Sequence, residues 1–343
     1  MTSRENVPLA PFTTFGIGGP ARFFIEAAGE EEIQTAIAQA RASGLPLFPL
    51  GGGSNILVPD GGVDGVVLKV TDESIAFEML GSDQLLVAGA GAGWDDVVHA
   101  ATMRGLFGIE NLAGIPGTIG GAAVQNIGAY GAALSETFLY ADALDAATGA
   151  RVRIDAATAA FGYRTSLFKR SRELVIMRVA LRLSSTGSAN VSYPDLAHAQ
   201  AAGEALDTPA RIASALRAIR GAKFPDLSRE GTAGSFFANP VLTEEEAYAL
   251  KARYLEMPVF TLPETTQIKV PLAWLLDHAL GLKGFSRGAV RLYEKQPLVV
   301  VAAKGATSAE VDALADDVAT RVRKTIGIVL EREVETFGVR SPA

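Results

Sequence analysis

The chain has 343 residues, of which 48% are hydrophobic and 20% are charged, a composition typical of a globular protein with more than one domain. Its formal net charge is -7, so it lacks the overall positive field that attracts nucleic acid or an anionic membrane. Cysteine is absent, which excludes disulfides, thiolate catalysis and a cysteine-linked cofactor.

The hydropathy pattern gives no indication of membrane insertion. The first residues, Met-Thr-Ser-Arg-Glu-Asn-Val-Pro, lack the apolar core of a signal peptide, and no segment contains about 18 consecutive apolar residues. We therefore expect a cytoplasmic protein with neither a membrane nor a nucleic acid as partner.

Hydrophobic periodicity predicts alternating strands and helices in the first part of the chain and a mixture of both afterwards. In chain order the predictions are strand 21–26, helix 29–43, strands 47–50, 65–70 and 84–88, helix 94–104, strands 137–146, 151–154 and 174–183, helix 208–220, a helix that begins at Thr243, strand 297–302, helix 308–324 and strand 328–336. Residues 187–203, rich in alanine and polar residues, are expected to form an insertion or a lid.

Two glycine-rich loops stand out. One is Gly51-Gly-Gly-Ser-Asn55, directly after a predicted strand, and the other is residues 114–131, with six glycines. Glycine allows the main chain to approach a ligand closely. Bare amides from both loops would form a cradle for phosphates or for the polar edge of an aromatic ring. Either loop alone is equally consistent with a tight turn and with a ligand site. Two such loops in the same half of the chain favour a bound cofactor.

Several common motifs are absent or fail. The segment Gly16-Ile-Gly-Gly-Pro-Ala21 has dinucleotide-binding spacing, but no strand precedes it and a strand follows it, which argues against a Rossmann fold. The sequence has no P-loop, no nucleophile elbow and no His-Glu-x-x-His pattern. The histidines, His99, His198 and His278, are far apart, so we expect no metal site.

The two loops, together with four further motifs, resemble the family of UDP-N-acetylenolpyruvoylglucosamine reductases (MurB), in its type with a tyrosine lid. The motifs follow one another along almost the whole chain: 13–19 (Thr-Thr-Phe-Gly-Ile-Gly-Gly), 51–55, 115–121 (Ile-Pro-Gly-Thr-Ile-Gly-Gly), 125–131 (Gln-Asn-Ile-Gly-Ala-Tyr-Gly), 163–169 (Tyr-Arg-Thr-Ser-Leu-Phe-Lys), 234–240 (Gly-Ser-Phe-Phe-Ala-Asn-Pro) and 330–334 (Leu-Glu-Arg-Glu-Val). Each motif is weak, but the ordered set is specific.

This resemblance implies an α+β fold: an FAD-binding fold of the vanillyl-alcohol-oxidase/PCMH type with a C-terminal α/β substrate domain. The expected domains are residues 1–70 with 319–343 as the first FAD-binding subdomain, 71–220 as the second, and 221–318 as the substrate-binding domain. The closing helix and strand would return to the first subdomain, and we expect a monomer.

The resemblance also implies a reaction in peptidoglycan precursor synthesis. FAD, bound noncovalently, takes a hydride from NADPH and passes it to UDP-N-acetylglucosamine enolpyruvate, giving UDP-N-acetylmuramate. Hydride addition to the terminal carbon pushes negative charge into the carboxylate. A cationic group must therefore hold this charge, and an acid must protonate the neighbouring carbon.

The family match assigns the charge-holding role to Arg164, the proton donation to Ser235 and a further catalytic role to Glu333. Without that match Arg164 would be a surface residue, Ser235 a turn residue, and Glu331 as plausible as Glu333 in an extended strand. The match implies FAD contacts at Gly51, Gly52, Gly53, Ser54, Asn55, Ile115, Pro116, Gly117, Thr118, Gly120, Gly121, Gln125, Asn126, Gly128, Ala129, Tyr130 and Arg220. It implies substrate contacts at Tyr193, Lys223, Asn239 and Gln296.

Two other functions fit the same sequence. One is an oxidase of the same flavin fold, which would consume oxygen with an alcohol substrate and would need no NADPH. The other is a nucleotide-sugar binding module that keeps the fold without catalysis, which would purify as a colourless protein unable to take up FAD.

Overall fold

The computed structural model describes residues 3–171, 173–262 and 266–339; residues 1, 2 and 340–343 of the predicted first subdomain lie outside this range. The strands are β1 Ser3–Pro8, β2 Pro20–Ala27, β3 Leu47–Leu50, β4 Ile56–Leu57, β5 Val63–Val70, β6 Ile75–Leu80, β7 Asp83–Gly89, β8 Gly128–Ala129, β9 Ala132–Ala133, β10 Phe138–Asp145, β11 Arg151–Asp155, β12 Leu174–Ser184, β13 Val241–Leu242, β14 Phe260–Thr261, β15 Ile268–Lys269, β16 Ser286–Arg287, β17 Val290–Leu292, β18 Val300–Ala302 and β19 Glu335–Thr336. The α-helices are α1 Glu30–Ser43, α2 Trp94–Thr102, α3 Ile119–Gln125, α4 Ala156–Ala159, α5 Leu167–Arg170, α6 Pro194–Ala201, α7 Pro209–Lys223, α8 Glu244–Arg253, α9 Leu272–Trp274 and α10 Ser308–Ile326.

The chain divides into two compact units. The first contains the described residues of 1–7, 20–52 and 63–222, and the second those of 8–19, 53–62 and 223–343. Each unit has its own hydrophobic core. The predicted division into three domains, which groups residues 319–343 with 1–70, stays a prediction.

The first unit opens with the predicted strand-helix-strand arrangement. Strands β2 and β3 pair in parallel with β5, in the order β1-β2-β5-β3. Helix α1 buries Ile33, Ala36, Ile37 and Ala40, the residues that its periodicity places on one stripe. Because β3 ends at Leu50, the first glycine loop follows the carboxyl end of a parallel strand, where α/β sheets commonly bind ligands.

A second, antiparallel sheet of the first unit has the order β11-β10-β12-β7-β6. Strand β12 pairs with neighbours on both sides. Its odd-numbered residues from Val175 to Leu183 are all buried, as their alternation predicts, whereas Arg178 and Arg182 on the opposite face are exposed. Helices α2 and α3 contribute to the same core. Trp94 of α2 is buried there and donates its indole N–H to the carbonyl of Leu112 at 2.9 Å.

The second unit contains two three-stranded sheets, β13-β15-β14 and β16-β17-β18, and the parallel pair β19-β4. Its core includes Phe236, Phe237 and the buried stripe of α10. Helix α8 begins with a capping box formed by Thr243 and Glu246, as its Thr-Glu-Glu-Glu start predicts. Among the described residues, no helix combines the length and the apolar character needed to cross a membrane.

The predicted closing strand 328–336 is wrong in extent. Gly327 ends α10 in the left-handed conformation, and only Glu335–Thr336 form a strand, parallel to β4. The residues between them form one isolated bridge, Phe237 to Arg332, because the neighbouring backbone is a loop rather than a strand. The predicted strand 297–302 is likewise shortened to Val300–Ala302, since a turn closes from Val299 N–H to Gln296.

Candidate active site

In the first unit, Gly51 and Gly52 of the first glycine loop lie against the backbone of the second glycine loop. A Cβ added to Gly52 would stand 2.6 Å from the Cα of Gly117, and one added to Gly51 would stand 2.9 Å from the Thr118 hydroxyl. Such distances leave room only for hydrogen atoms, so both positions require glycine for steric reasons. The loops that the sequence predicts to act together are therefore in direct contact. Ile115 and Pro116 precede Gly117 in the second loop.

Helix α3 connects the start of the second glycine loop to the 125–131 motif. Thr118 caps its start by accepting from Gly121 N–H, and Asn126 ends it with a φ of 45°. Gly120 packs against Ala90, where a Cβ would stand 2.9 Å from the alanine side chain. At the end of the helix Gln125 is buried, and its Nε2 has no hydrogen-bond partner within the described part of the chain.

Arg164 lies against the 125–131 motif. It donates from Nη2 to the carbonyl of Gly128 at 2.7 Å and adopts a φ of 54°. Left-handed backbone at a residue with a long side chain is uncommon and is held only where surrounding contacts impose it. Here Asn126 donates to the carbonyl of Gly162 at 2.9 Å, which ties the two motifs together. Ala129, in β8, belongs to the same hairpin as Gly128.

Tyr130, Tyr193 and Arg220 form a second group in the first unit. The Tyr130 and Tyr193 rings meet edge to face, with centroids 5.1 Å apart, and the Arg220 guanidinium is hydrogen-bonded to the Tyr130 phenol. Burial raises the pKa of Tyr130, and the charge of Asp195 adds to the rise while Arg220 opposes it. Burial lowers the pKa of Arg220, but a guanidinium remains charged at neutral pH. Tyr193 itself is exposed and stands at the start of α6.

The sequence analysis did not identify Asp95 and Arg217, which fix the start of the second glycine loop at Gly114. Asp95 accepts from Gly114 N–H at 2.7 Å and from Arg217 Nε at 2.8 Å. Arg220 Nε donates to the Gly114 carbonyl at 2.9 Å. Burial raises the pKa of Asp95, but these donors and the Arg217 charge outweigh it, so the net shift is downward. The one sequence signal was the acidic first turn of α2, which is common at helix starts.

In the second unit, Ser235 and Glu333 lie on neighbouring backbone segments. Phe236 N–H donates to the Leu298 carbonyl at 2.8 Å, and its own carbonyl accepts from Glu333 N–H at 2.9 Å. Since the rings of Phe236 and Phe237 are buried, they anchor the backbone on which Ser235 stands. Ser235 also bridges to Val299, beside Gln296. The backbone contacts thus place the segments that carry Ser235, Gln296 and Glu333 side by side.

Asn55 belongs to the same neighbourhood. Its side-chain amide donates to the Glu333 carbonyl at 3.1 Å, and its own carbonyl accepts from Glu335 N–H. Gly53 accepts from Thr14 N–H, which connects it to the 13–19 motif, and Ser54 stands between Gly53 and Asn55. The boundary between the units falls within the first glycine loop, after Gly52.

The remaining predicted substrate residues of the second unit are Asn239 and Lys223. Asn239 accepts from Leu272 N–H at 3.0 Å through its side-chain oxygen. Lys223 is the last residue of α7 and is half-buried. Glu331 is exposed, whereas Glu333 is half-buried, and the carbonyl of Glu331 accepts from Ala238 N–H at 3.0 Å.

The residues of the first unit fit a flavin cofactor. Two glycine loops present main chain where any Cβ would collide, and buried polar atoms of Asn111, Gln125 and Arg217 lack partners among the described residues. A buried donor or acceptor without a partner costs about 1–3 kcal/mol, which a polar ligand removes. FAD carries both the phosphates and the heterocyclic acceptors that this lining requires.

Residues 21–155 match the family described as FAD binding domain. The fold agrees: the chain superposes on 6-hydroxy-D-nicotine oxidase from Arthrobacter nicotinovorans with a TM-score of 0.50 and 15% identity, covering 91% of this chain and 81% of the oxidase. The predicted fold class is confirmed, and the chain is an FAD-dependent oxidoreductase.

Residues 226–337 match the C-terminal domain of UDP-N-acetylenolpyruvoylglucosamine reductase. The chain is 38% identical to the enzyme of that name from Pseudomonas aeruginosa over 97% of this chain and 98% of the relative. It is 39% identical to that of Cupriavidus pinatubonensis over 96% and 97%. The MurB structure from Thermus caldophilus matches with a TM-score of 0.69 and 25% identity, covering 98% of this chain and all of that one. The chain belongs to the UDP-N-acetylenolpyruvoylglucosamine reductase family.

Proposed function

We propose that this protein reduces UDP-N-acetylglucosamine enolpyruvate to UDP-N-acetylmuramate with NADPH, in peptidoglycan precursor synthesis. The observation that carries the proposal is similarity to reductases of this name over 97% of the chain and 98% of the relative. The glycine-lined cradle of the first unit supports it from the side of the cofactor.

FAD, when bound, supplies the hydride chemistry between NADPH and the enolpyruvyl substrate. The chain must supply charge stabilisation. Arg164 is the proposed residue, because a guanidinium presents a planar set of donors that matches a carboxylate. Its bond to Gly128 uses Nη2 and fixes the orientation of the guanidinium in advance, which saves reorganisation when charge develops.

Ser235 is the proposed proton donor to the carbon next to the carboxylate. Phe236 follows it in the core, which anchors the backbone on that side of Ser235. A hydroxyl is a weak acid, and Glu333, whose backbone N–H bonds to the Phe236 carbonyl, is the second proposed catalytic residue. Tyr193, Lys223, Asn239 and Gln296 are proposed to contact the substrate.

Several further features belong to the same proposal. The FAD contacts are those of the two glycine loops, the 125–130 segment and Arg220. The working protein is a cytoplasmic monomer with three domains, 1–70 with 319–343, 71–220 and 221–318. These features are proposed for this chain because it belongs to the reductase family.

An anaerobic stopped-flow experiment tests the reaction and the serine together. We expect the parent protein to be yellow, to lose colour with NADPH and to regain it only when the enolpyruvyl sugar is added. Ser235→Ala should lose colour at the parental rate but should regain it at least about a hundredfold more slowly, since positioned proton transfer contributes at least that factor.

Ser228→Ala is the matched control, because this exposed serine bonds within its own turn, to Asp226, and to no other residue in the described part of the chain. Parental recolouring by Ser235→Ala would remove the proton-donor role. A parent protein whose flavin is bleached by an alcohol and recoloured by oxygen, and is not recoloured by the enolpyruvyl sugar, would indicate the oxidase. A colourless protein that does not take up FAD would indicate the binding module.

A further inference from the structure

Lys169 lies between two of the proposed site residues. Its Nζ donates to the side-chain Oε1 of Gln125 at 3.0 Å and to the backbone carbonyl of Arg164 at 3.1 Å. The lysine belongs to α5, whose first-turn cap, Ser166, is completely buried and donates to the Val124 carbonyl at 2.7 Å. Helix α5 is therefore attached to the end of α3 at two points, and one of them is this ammonium.

The ammonium determines which way the Gln125 amide faces. The oxygen and nitrogen of an amide side chain are normally assigned only from their hydrogen bonds. Because an ammonium has three donors and no acceptor, the amide atom facing Lys169 must be the oxygen. The Nε2 group consequently faces away from the lysine.

That Nε2 group is a buried donor. Gln125 is 7% exposed, and its Nε2 has no hydrogen-bond partner among the described residues. Native proteins seldom leave such a donor unmatched, because its desolvation is costly. Gln125 stands within the segment proposed to contact FAD, and the flavin ring carries carbonyl and ring-nitrogen acceptors.

We propose that Lys169 is a positioning residue, which holds the Gln125 amide with its N–H group toward an acceptor of the bound flavin and, through the Arg164 carbonyl, holds the backbone of the charge-stabilising arginine. The proposal rests on the proposed FAD-dependent reduction. The lysine acts through other residues, so its effect passes to the cofactor by way of Gln125.

A hydrogen bond donated to a flavin acceptor favours the reduced, more negative ring. Loss of the lysine frees the amide to rotate and weakens this bond. We therefore expect Lys169→Met, which keeps the length of the side chain, to bind FAD about tenfold more weakly, the equivalent of one hydrogen bond. The midpoint potential of its flavin should be more negative than that of the parent.

A double-mutant cycle identifies the route of the effect. Lys169→Met, Gln125→Met and the double variant are compared by FAD titration of the apoprotein and by the midpoint potential. If the lysine acts through the glutamine, the double variant resembles Gln125→Met alone, because coupled residues are non-additive. Arg170→Met is the matched control: this neighbour bonds to Thr165 and Ala160, not to Gln125, and its FAD affinity and potential should be parental.

Additive effects in the cycle, or parental FAD affinity and potential in Lys169→Met, would overturn the proposal. So would a Lys169→Met protein that does not fold, because the lysine would then be a structural residue. The parent protein separates this result from a failure of the function itself: a parent that binds FAD and completes the colour cycle keeps the proposed function whatever Lys169 does.

Discussion

Single residues in unusual backbone conformations mark the candidate site. Asn126, Tyr130 and Arg164 all have left-handed backbone, with φ between 45° and 54°. Composition and periodicity could not predict this, since nothing in the local pattern requires a positive φ at a residue with a long side chain. The glycines were different: because any Cβ collides at Gly51 and Gly52, the residue type itself carried the signal. The side-chain contacts of Asp95 and Arg217 depend on long-range packing, and the acidic first turn of α2 is too common a feature to predict them.

The close approach of the two glycine loops gives a prediction at this scale. Gly52→Ala places a Cβ 2.6 Å from the Cα of Gly117, so two backbones must separate. We expect a loss of about 1–3 kcal/mol in unfolding free energy and FAD binding at least about tenfold weaker, measured by urea unfolding and FAD titration.

Gly221→Ala is the control, because this exposed position in α7 has open space around it. It should gain about 0.5–1 kcal/mol and bind FAD normally. Unchanged FAD affinity in Gly52→Ala would contradict the close contact of the loops.

At the scale of elements, long periodic segments were predictable and short strands were not. Helix α10 could be predicted from its apolar stripe, and the strands of the first unit could be predicted from their length. Each of these patterns buries a continuous face. Strands of two or three residues in the second unit, such as β13, β14 and β16, are too short to show a period of two. The closing segment around Glu333 has strand-like composition, but its backbone bonds to Phe236 and Asn55 rather than to a long neighbour.

The start of α10 provides a prediction with a defined pH dependence. Asp60 accepts from the backbone N–H groups of Ser308 at 2.7 Å and Ala309 at 3.1 Å. Burial raises the pKa of Asp60, but these donors lower it more, and the net shift is downward. A carboxylate with a lowered pKa stabilises the folded state above its unfolded pKa of about 3.9, and this stabilisation is lost as the pH falls through the folded value.

We therefore expect Asp60→Asn to lower the unfolding free energy by about 0.5–1 kcal/mol at neutral pH, with a difference from the parent that shrinks below about pH 4. Urea unfolding from pH 7 to pH 3 in low salt measures it. Asp64→Asn removes an exposed carboxylate paired with Arg22 and should change stability little. A difference for Asp60→Asn that is the same at every pH would show that the charge at the helix start contributes nothing.

At the scale of the whole molecule, each unit has its own apolar core, and most of the proposed FAD contacts belong to the first. A ligand that binds one folded unit stabilises it by mass action, by about 2.7 kcal/mol at a hundred times the dissociation constant. Proteins with separate cores often unfold in more than one step. The two tryptophans of the chain distinguish these steps, because Trp94 lies in the first unit and Trp274 in the second.

In Trp274→Phe the remaining fluorescence reports the first unit, and in Trp94→Phe it reports the second. We expect FAD to raise the thermal midpoint reported by Trp94 more than that reported by Trp274. The reason is that the second unit contributes three of the proposed FAD contacts, Gly53, Ser54 and Asn55, and the first unit contributes the others. For each variant, the shift in midpoint is measured relative to the same variant without FAD. The destabilisation caused by replacing the buried Trp94 therefore does not enter the comparison. Midpoints that coincide and rise equally with FAD would mean that the two cores unfold as one cooperative unit. In that case FAD bound mainly through the glycine loops would also stabilise the segment that carries Ser235 and Glu333.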